Sequence, residues 1–124
     1  MAYEESLTCI SVPANADLST SQYRFVKLNS SGNIVAATAA GAADGVLQNK
    51  PNATGVAGSV AIAGVSQVEA SAAITAGDDV AVATGGKAAT ATSGDIVVGR
   101  AMQSASGDGS IIAVLIVRAP EPLA

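Results

Sequence analysis

The residues that could do chemistry are few. Asp78 and Asp79 are adjacent carboxylates, and with Asp95 and Asp108 they could be gathered around a divalent ion. Three of the four lie beside a glycine, in Gly77-Asp78, Gly94-Asp95 and Gly107-Asp108-Gly109, where aspartate is favoured because its side chain bonds turn backbone. The spacing of a calcium-binding helix-loop-helix is absent, so turn chemistry is the reading carried forward. Histidine is missing altogether, which removes the ordinary general base near neutral pH. A serine or threonine nucleophile would need a lysine or carboxylate tuned by burial, and Lys50 and Lys87 both sit at loop or turn positions. The single Cys9 excludes an intrachain disulfide and, without histidine, a structural zinc site. Gly55 to Gly58 lacks the Gly-Lys-Ser/Thr ending of a phosphate loop and precedes a strand, so it reads as a turn. No enzyme, metal or cofactor is expected from this inventory.

The elements that would have to position these residues are strands. Residues 111–117 form the longest run without a polar side chain, rich in β-branched residues and bounded by Gly107-Asp108-Gly109 and by Arg118 and Pro120. Ile111, Ala113, Leu115 and Val117 line one face, and Ile112, Val114 and Ile116 the other. Because both faces are apolar, the strand is either central or covered on one face by another subunit. Phe25 to Leu28, a turn through Asn29 to Asn33, and Ile34 to Ala36 make a hairpin, with Gly32 supplying the positive φ. Leu7 to Val12 alternates at period two before Pro13 interrupts it. Residues 1–19 are therefore expected as an extended N-terminal arm, with residues 3–12 pairing in extended form with a sheet edge, its own or a neighbour's.

The hairpin has an echo. Val80 to Val82, a turn through Gly85-Gly86-Lys87, and Ala88 to Thr92 repeat it 54 positions on, and Gly45-Val46-Leu47 corresponds to Gly99-Arg100-Ala101. Gly58 to Ala63 aligns with Gly109 to Val114 at an offset of 51. Two β units, at 20–70 and 74–119, joined near 71–76, are expected within one domain at 20–119, followed by a tail at 120–124. The fold class is mainly β: a barrel- or sandwich-like domain of two similar units with little helix.

At 124 residues and 12.0 kDa the chain forms one domain. Hydrophobic residues make up 49% but aromatics only 2%, so the core is built from alanine and valine and buries little area per residue. Stability drawn from partners is expected. The net charge of −4 with no basic cluster argues against nucleic acid. The acidic N-terminus and the lack of an 18-residue apolar run argue against a signal peptide or membrane span, so synthesis in a cytoplasm is expected. Gly85-Gly86-Lys87 on a hairpin resembles the modified lysine of lipoyl and biotinyl carriers, but those families flank it with Asp and Ala or with methionines, whereas here Gly86 and Ala88 flank it.

Residues 16–28, 45–49, 74–80 and 98–101 together resemble the small capsid decoration, or cement, proteins of tailed bacteriophages. The resemblance extends from about residue 5 to Val117. It implies a β domain on the outer surface of an assembled head, bound to the major capsid protein at subunit junctions and bracing the shell, with no catalytic residues. It further implies self-association on the capsid, with a trimer favoured. On this reading Leu7, Cys9, Ile10 and Val12 of the arm, and Ile112, Val114 and Ile116 of the last strand, are the candidate capsid or subunit interface. A tail or fibre module is the alternative.

Overall fold

The computed structural model describes residues 5–117, with side chains from residue 7. The expected tail at 120–124, and residues 1–4 of the expected arm, lie outside the described residues. Nine strands follow in order: β1 (Glu5–Pro13), β2 (Phe25–Leu28), β3 (Ile34–Ala36), β4 (Gly45–Leu47), β5 (Ala57–Glu69), β6 (Asp79–Val82), β7 (Ala88–Thr90), β8 (Gly99–Ala101) and β9 (Ile111–Ile116). One 3-10 turn, Thr84–Gly86, is the helical exception among the described residues. All strand ladders are antiparallel, in one curled sheet of order β3-β2-β4-β5-β9-β8-β6-β7 with β1 on β5. Residues 5–13 of the segment read as an arm are thus the first strand, paired along β5 from Glu5↔Val65 to Pro13↔Ala57.

The long strand β5 organises this sheet. Val60 has a partner on each side, Ile10 in β1 and Leu47 in β4. Val65 likewise faces Glu5 and, in β9, Leu115. So β4 and β9 share the edge of β5 opposite β1, one on each half of its length. Between the halves sits Gly64 at φ 101, a conformation that a side chain would disfavour, and there the strand can change direction.

Each half of β5 belongs to a different unit, and the two units have the same ladders. Val26↔Gly45 recurs as Val80↔Gly99, and Leu28↔Ile34 as Val82↔Ala88. Leu47↔Val60 recurs as Ala101↔Val114, again 54 positions on. The offset is therefore 54 across the last strands too, and the alignment at 51 is corrected: Gly109 corresponds to Gly55, not Gly58. Gly55 N–H donates to the Ala14 carbonyl as Gly109 N–H does to Ala70, and both glycines have positive φ. The first strand joins the repeat as well, because Val12↔Gly58 recurs as Val68↔Ile112. Here the shift is 56, the dipeptide Ser19-Thr20 being the excess between Leu18 and Ser21. The units consequently meet inside β5 rather than at 71–76.

After its first strand, each unit turns back onto its own hairpin: Ala14 bridges Ile34 in parallel, and Ala70 bridges Ala88. Five short strands curled this far enclose a narrow interior, in keeping with the Ala/Val-rich composition. The first core holds Val12, Ala14, Leu18, Val26, Ile34, Leu47 and Val60. Its counterparts Val68, Ala70, Ile74, Val80, Ala88, Ala101 and Val114 all lie in the second core. Volume is redistributed between the two. A Cβ on Gly58 would come within 2.6 Å of Ile34 Cδ1 and 3.1 Å of Leu47 Cδ1, whereas the second unit places Ile112 there and alanines opposite, Ala88 and Ala101. Large and small residues have exchanged places at constant filling.

Candidate functional site

The seven residues singled out from the sequence do not form one surface. Val12 belongs to the first core, and Ile112 and Val114 to the second, with Ile116 partly buried against it. Val12, Ile112 and Val114 are covered by the chain itself, and Ile116 is covered in part. On β9 the outward residues Ile111 and Leu115 are exposed, as is Val117 just beyond the strand. On β1, Leu7 is half-buried while Cys9 and Ile10 are exposed, Cys9 as a free thiol.

The chemical candidates sit in turns. Asp78 accepts from Thr75 N–H at 3.2 Å and from the Thr90 hydroxyl, and Asp95 from Thr92 N–H at 2.9 Å. No group of three or more possible metal ligands converges among the described residues. Lys87 is not a presented lysine. Its Nζ lies 2.8 Å from Asp108 Oδ1 and 3.4 Å from Glu69 Oε2, and Glu69 in turn accepts from Arg24 Nε at 3.0 Å. The hydrogen bond from Lys87 lowers the Asp108 carboxyl below the ordinary carboxylate range, and the same bond is the main reason that Lys87 is raised above its ordinary value.

That network marks the seam between units, for Arg24 precedes β2 and the other three belong to the second unit. Backbone bonds cross the seam beside it: Glu69 N–H donates to the Tyr23 carbonyl at 2.8 Å, and Ala40 N–H to Val82 at 2.8 Å. Gln48 Nε2 donates to the buried Ser66 hydroxyl at 2.9 Å. Phe25, Ala37 and Val46, the outward side chains of the first unit, are buried in the second core. Gly86 allows the approach, since a Cβ there would meet the Phe25 carbonyl oxygen at 2.5 Å. The seam was not read from the sequence, because Arg24 and Glu69 stand 45 positions apart and no local pattern links them.

The described fold with these two units and their seam has a solved counterpart. It resembles the N base of the head fibre gp8.5 in bacteriophage phi29. The superposition has a TM-score of 0.70 and covers 95% of this chain and 98% of that chain at 22% sequence identity. At that identity the likeness is one of fold. No protein-family model and no curated protein matches the sequence.

The repeat also exposes residues that sequence reading passed over. Leu28 and Ile62 are exposed apolar side chains whose counterparts are Val82, buried in the second core, and Ile116, partly buried against it. The signal for them was the 54-residue offset itself, applied to the burial of each unit.

Proposed function

We propose that this chain is a non-enzymatic structural protein of a phage virion, carried on the outside of the head and bound to the major capsid protein. The observation that supports this reading most is the end-to-end likeness of fold to a head-fibre base, with nearly the whole of both chains covered. The inventory of side chains agrees with it: carboxylates tied into turns, a lysine tied into ion pairs, and no histidine. An acidic protein of this kind has no need to touch packaged DNA.

Two finer readings share this location. In the first, many copies bridge capsid subunits and raise the force at which capsomers separate, each weak contact acting through multivalency. In the second, the chain is the base on which a fibre stands, the reading favoured by the name of its structural neighbour. Co-sedimentation with heads that lack the protein, before and after shell expansion, tests the common ground. Saturable binding is the expected result, and absence of binding to both shells would overturn the proposal. Added resistance of decorated heads to heat or osmotic shock would select the bridging role. Binding without added resistance would select the fibre base.

A further inference from the structure

The edges of the sheet differ in length. It ends at β3 and β7 on strands of three residues each, whereas β1 runs for nine residues and pairs with β5 alone. The hydrogen-bond phase of β1 follows from its neighbours. Gln48 N–H donates to the Ser59 carbonyl, so Ser59 and Ala61 turn their backbone groups toward β4, and Gly58 and Val60 turn theirs toward β1. Ser11 and Cys9 stand opposite Ser59 and Ala61, and their N–H and C=O groups therefore point away from β5. Outside the ladder with β5, no hydrogen bond involves residues 7–12 among the described residues. Thr8, Cys9, Ile10 and Ser11 are exposed in succession, so both faces of the strand are open as well as its edge. The counterpart stretch of the second unit, Gly64 to Gln67, has no exposed residue, and Glu69 just beyond it donates its N–H to the Tyr23 carbonyl across the seam. Pro13 stands in the place of Glu69 and has no N–H to give, so that bond has no equivalent on the first unit.

We propose that the free edge of β1 is a two-fold interface, at which β1 pairs antiparallel with β1 of a second copy of this chain about Cys9. An antiparallel edge is its own complement. The rotation that sets Cys9 against the partner's Cys9 also sets Leu7 against the partner's Ser11, and Ser11 against the partner's Leu7. Pro13 disfavours the neighbouring register, since sliding the copies until Ser11 faces Ser11 would set each Cys9 against a proline that cannot donate. No residue from Ser6 to Pro13 is charged, and like charges on the edge are what ordinarily keep identical strands apart. The shorter edges at β3 and β7 offer no comparable length. In the dimer the sheet continues from β5 through the two β1 strands into the partner's sheet. This is a dimer in place of the trimer that the family resemblance implies, and it is a property of the chain by itself, whatever the chain binds.

Sedimentation velocity of the purified chain, under reducing conditions so that no Cys9 disulfide contributes, tests the pairing separately from binding to heads. A concentration-dependent dimer is expected. C9K and C9E should each sediment as monomers where the wild type is dimeric, because like charges then face each other across the axis, and an equimolar mixture of the two should restore the dimer. S11P removes an N–H that points away from β5 and so leaves the intramolecular ladder in place, yet it should raise the dimer dissociation constant by about tenfold or more. A wild-type monomer at every concentration would overturn the proposal, and so would a dimer that folded S11P leaves unchanged. A dimer of the wild type together with a mixture of folded C9K and C9E that stays monomeric would overturn the pairing about Cys9. Circular dichroism and thermal unfolding establish folding of each variant. Should S11P fail to fold, the charge pair at the exposed Cys9 carries the test.

Discussion

Replacing Gly86 by alanine measures the closeness of the seam, and Gly32 serves as its internal control. The two glycines occupy the same place in the two hairpins and have nearly the same backbone, φ +85 and φ +78. Alanine in that conformation costs about 1 kcal/mol relative to glycine, less a few tenths regained from a stiffer unfolded chain. At Gly32 nothing lies within 4 Å of the added Cβ, so the cost there should stay at about 1 kcal/mol. At Gly86 the Cβ meets the Phe25 carbonyl oxygen at 2.5 Å. That oxygen is backbone, already accepts from Ala37 N–H, and cannot rotate aside. Relief requires the units to part by several tenths of an ångström, against Phe25 and Val46 in the second core. An overpacking cost of about 1 to 3 kcal/mol is therefore added to the conformational one. Urea unfolding of G32A and G86A at matched m-values, with a gap near 4 °C in Tm for each kcal/mol, gives the comparison. Costs for the two variants that agree within about 0.5 kcal/mol would refute the close seam.

Two further predictions follow from packing and charge. Gly58→Ala should destabilise by about 1 to 3 kcal/mol through Ile34 and Leu47, and the triple change G58I/I34A/L47A should unfold at lower denaturant than wild type but well above G58I alone, because it installs the arrangement of the second core. For the seam network, Asp108 is lowered and Lys87 raised. The Asp108 contribution is thus present above the ordinary carboxylate value and lost as pH falls through its lower folded value. That of Lys87 is present below the ordinary lysine value and lost as pH rises through its higher folded one. In D108N the difference from wild type in denaturation midpoint should be constant between about pH 5 and 9 and shrink toward both extremes. A difference independent of pH from 2 to 11 would remove the pair from the ledger of stability.

Much of this architecture is local, and what is local can be read from the chain. Gly32 between Phe25–Leu28 and Ile34–Ala36 specifies a hairpin, because a turn of that length needs a residue at positive φ. The 54-residue echo is a property of sequence order, and so is the alanine- and valine-rich composition that a narrow barrel requires. The chemistry of turn aspartates and the want of a general base are equally matters of residue type. Where identity competes with register, identity misleads: Gly58 and Gly109 align as glycines, while the backbone bonds make Gly109 the counterpart of Gly55 and the ladders put Ile112 in the place of Gly58.

Everything that depends on which face meets which was decided by the tertiary structure. In β9 both faces are apolar, so alternation could not tell that Ile112 and Val114 turn inward and Leu115 outward; the curl of the sheet decides it. In β1 alternation could not name a partner, and the free edge of β5 supplies one. Arg24, Glu69, Lys87 and Asp108 are ordinary surface residues in the sequence, and they become one network only because the units close on each other. The exposed end at Ile10, Leu28 and Ile62 has the same origin. The sequence determines that the same barrel is built twice, but a barrel end is covered or open according to what is placed against it, and that placement exists only in three dimensions.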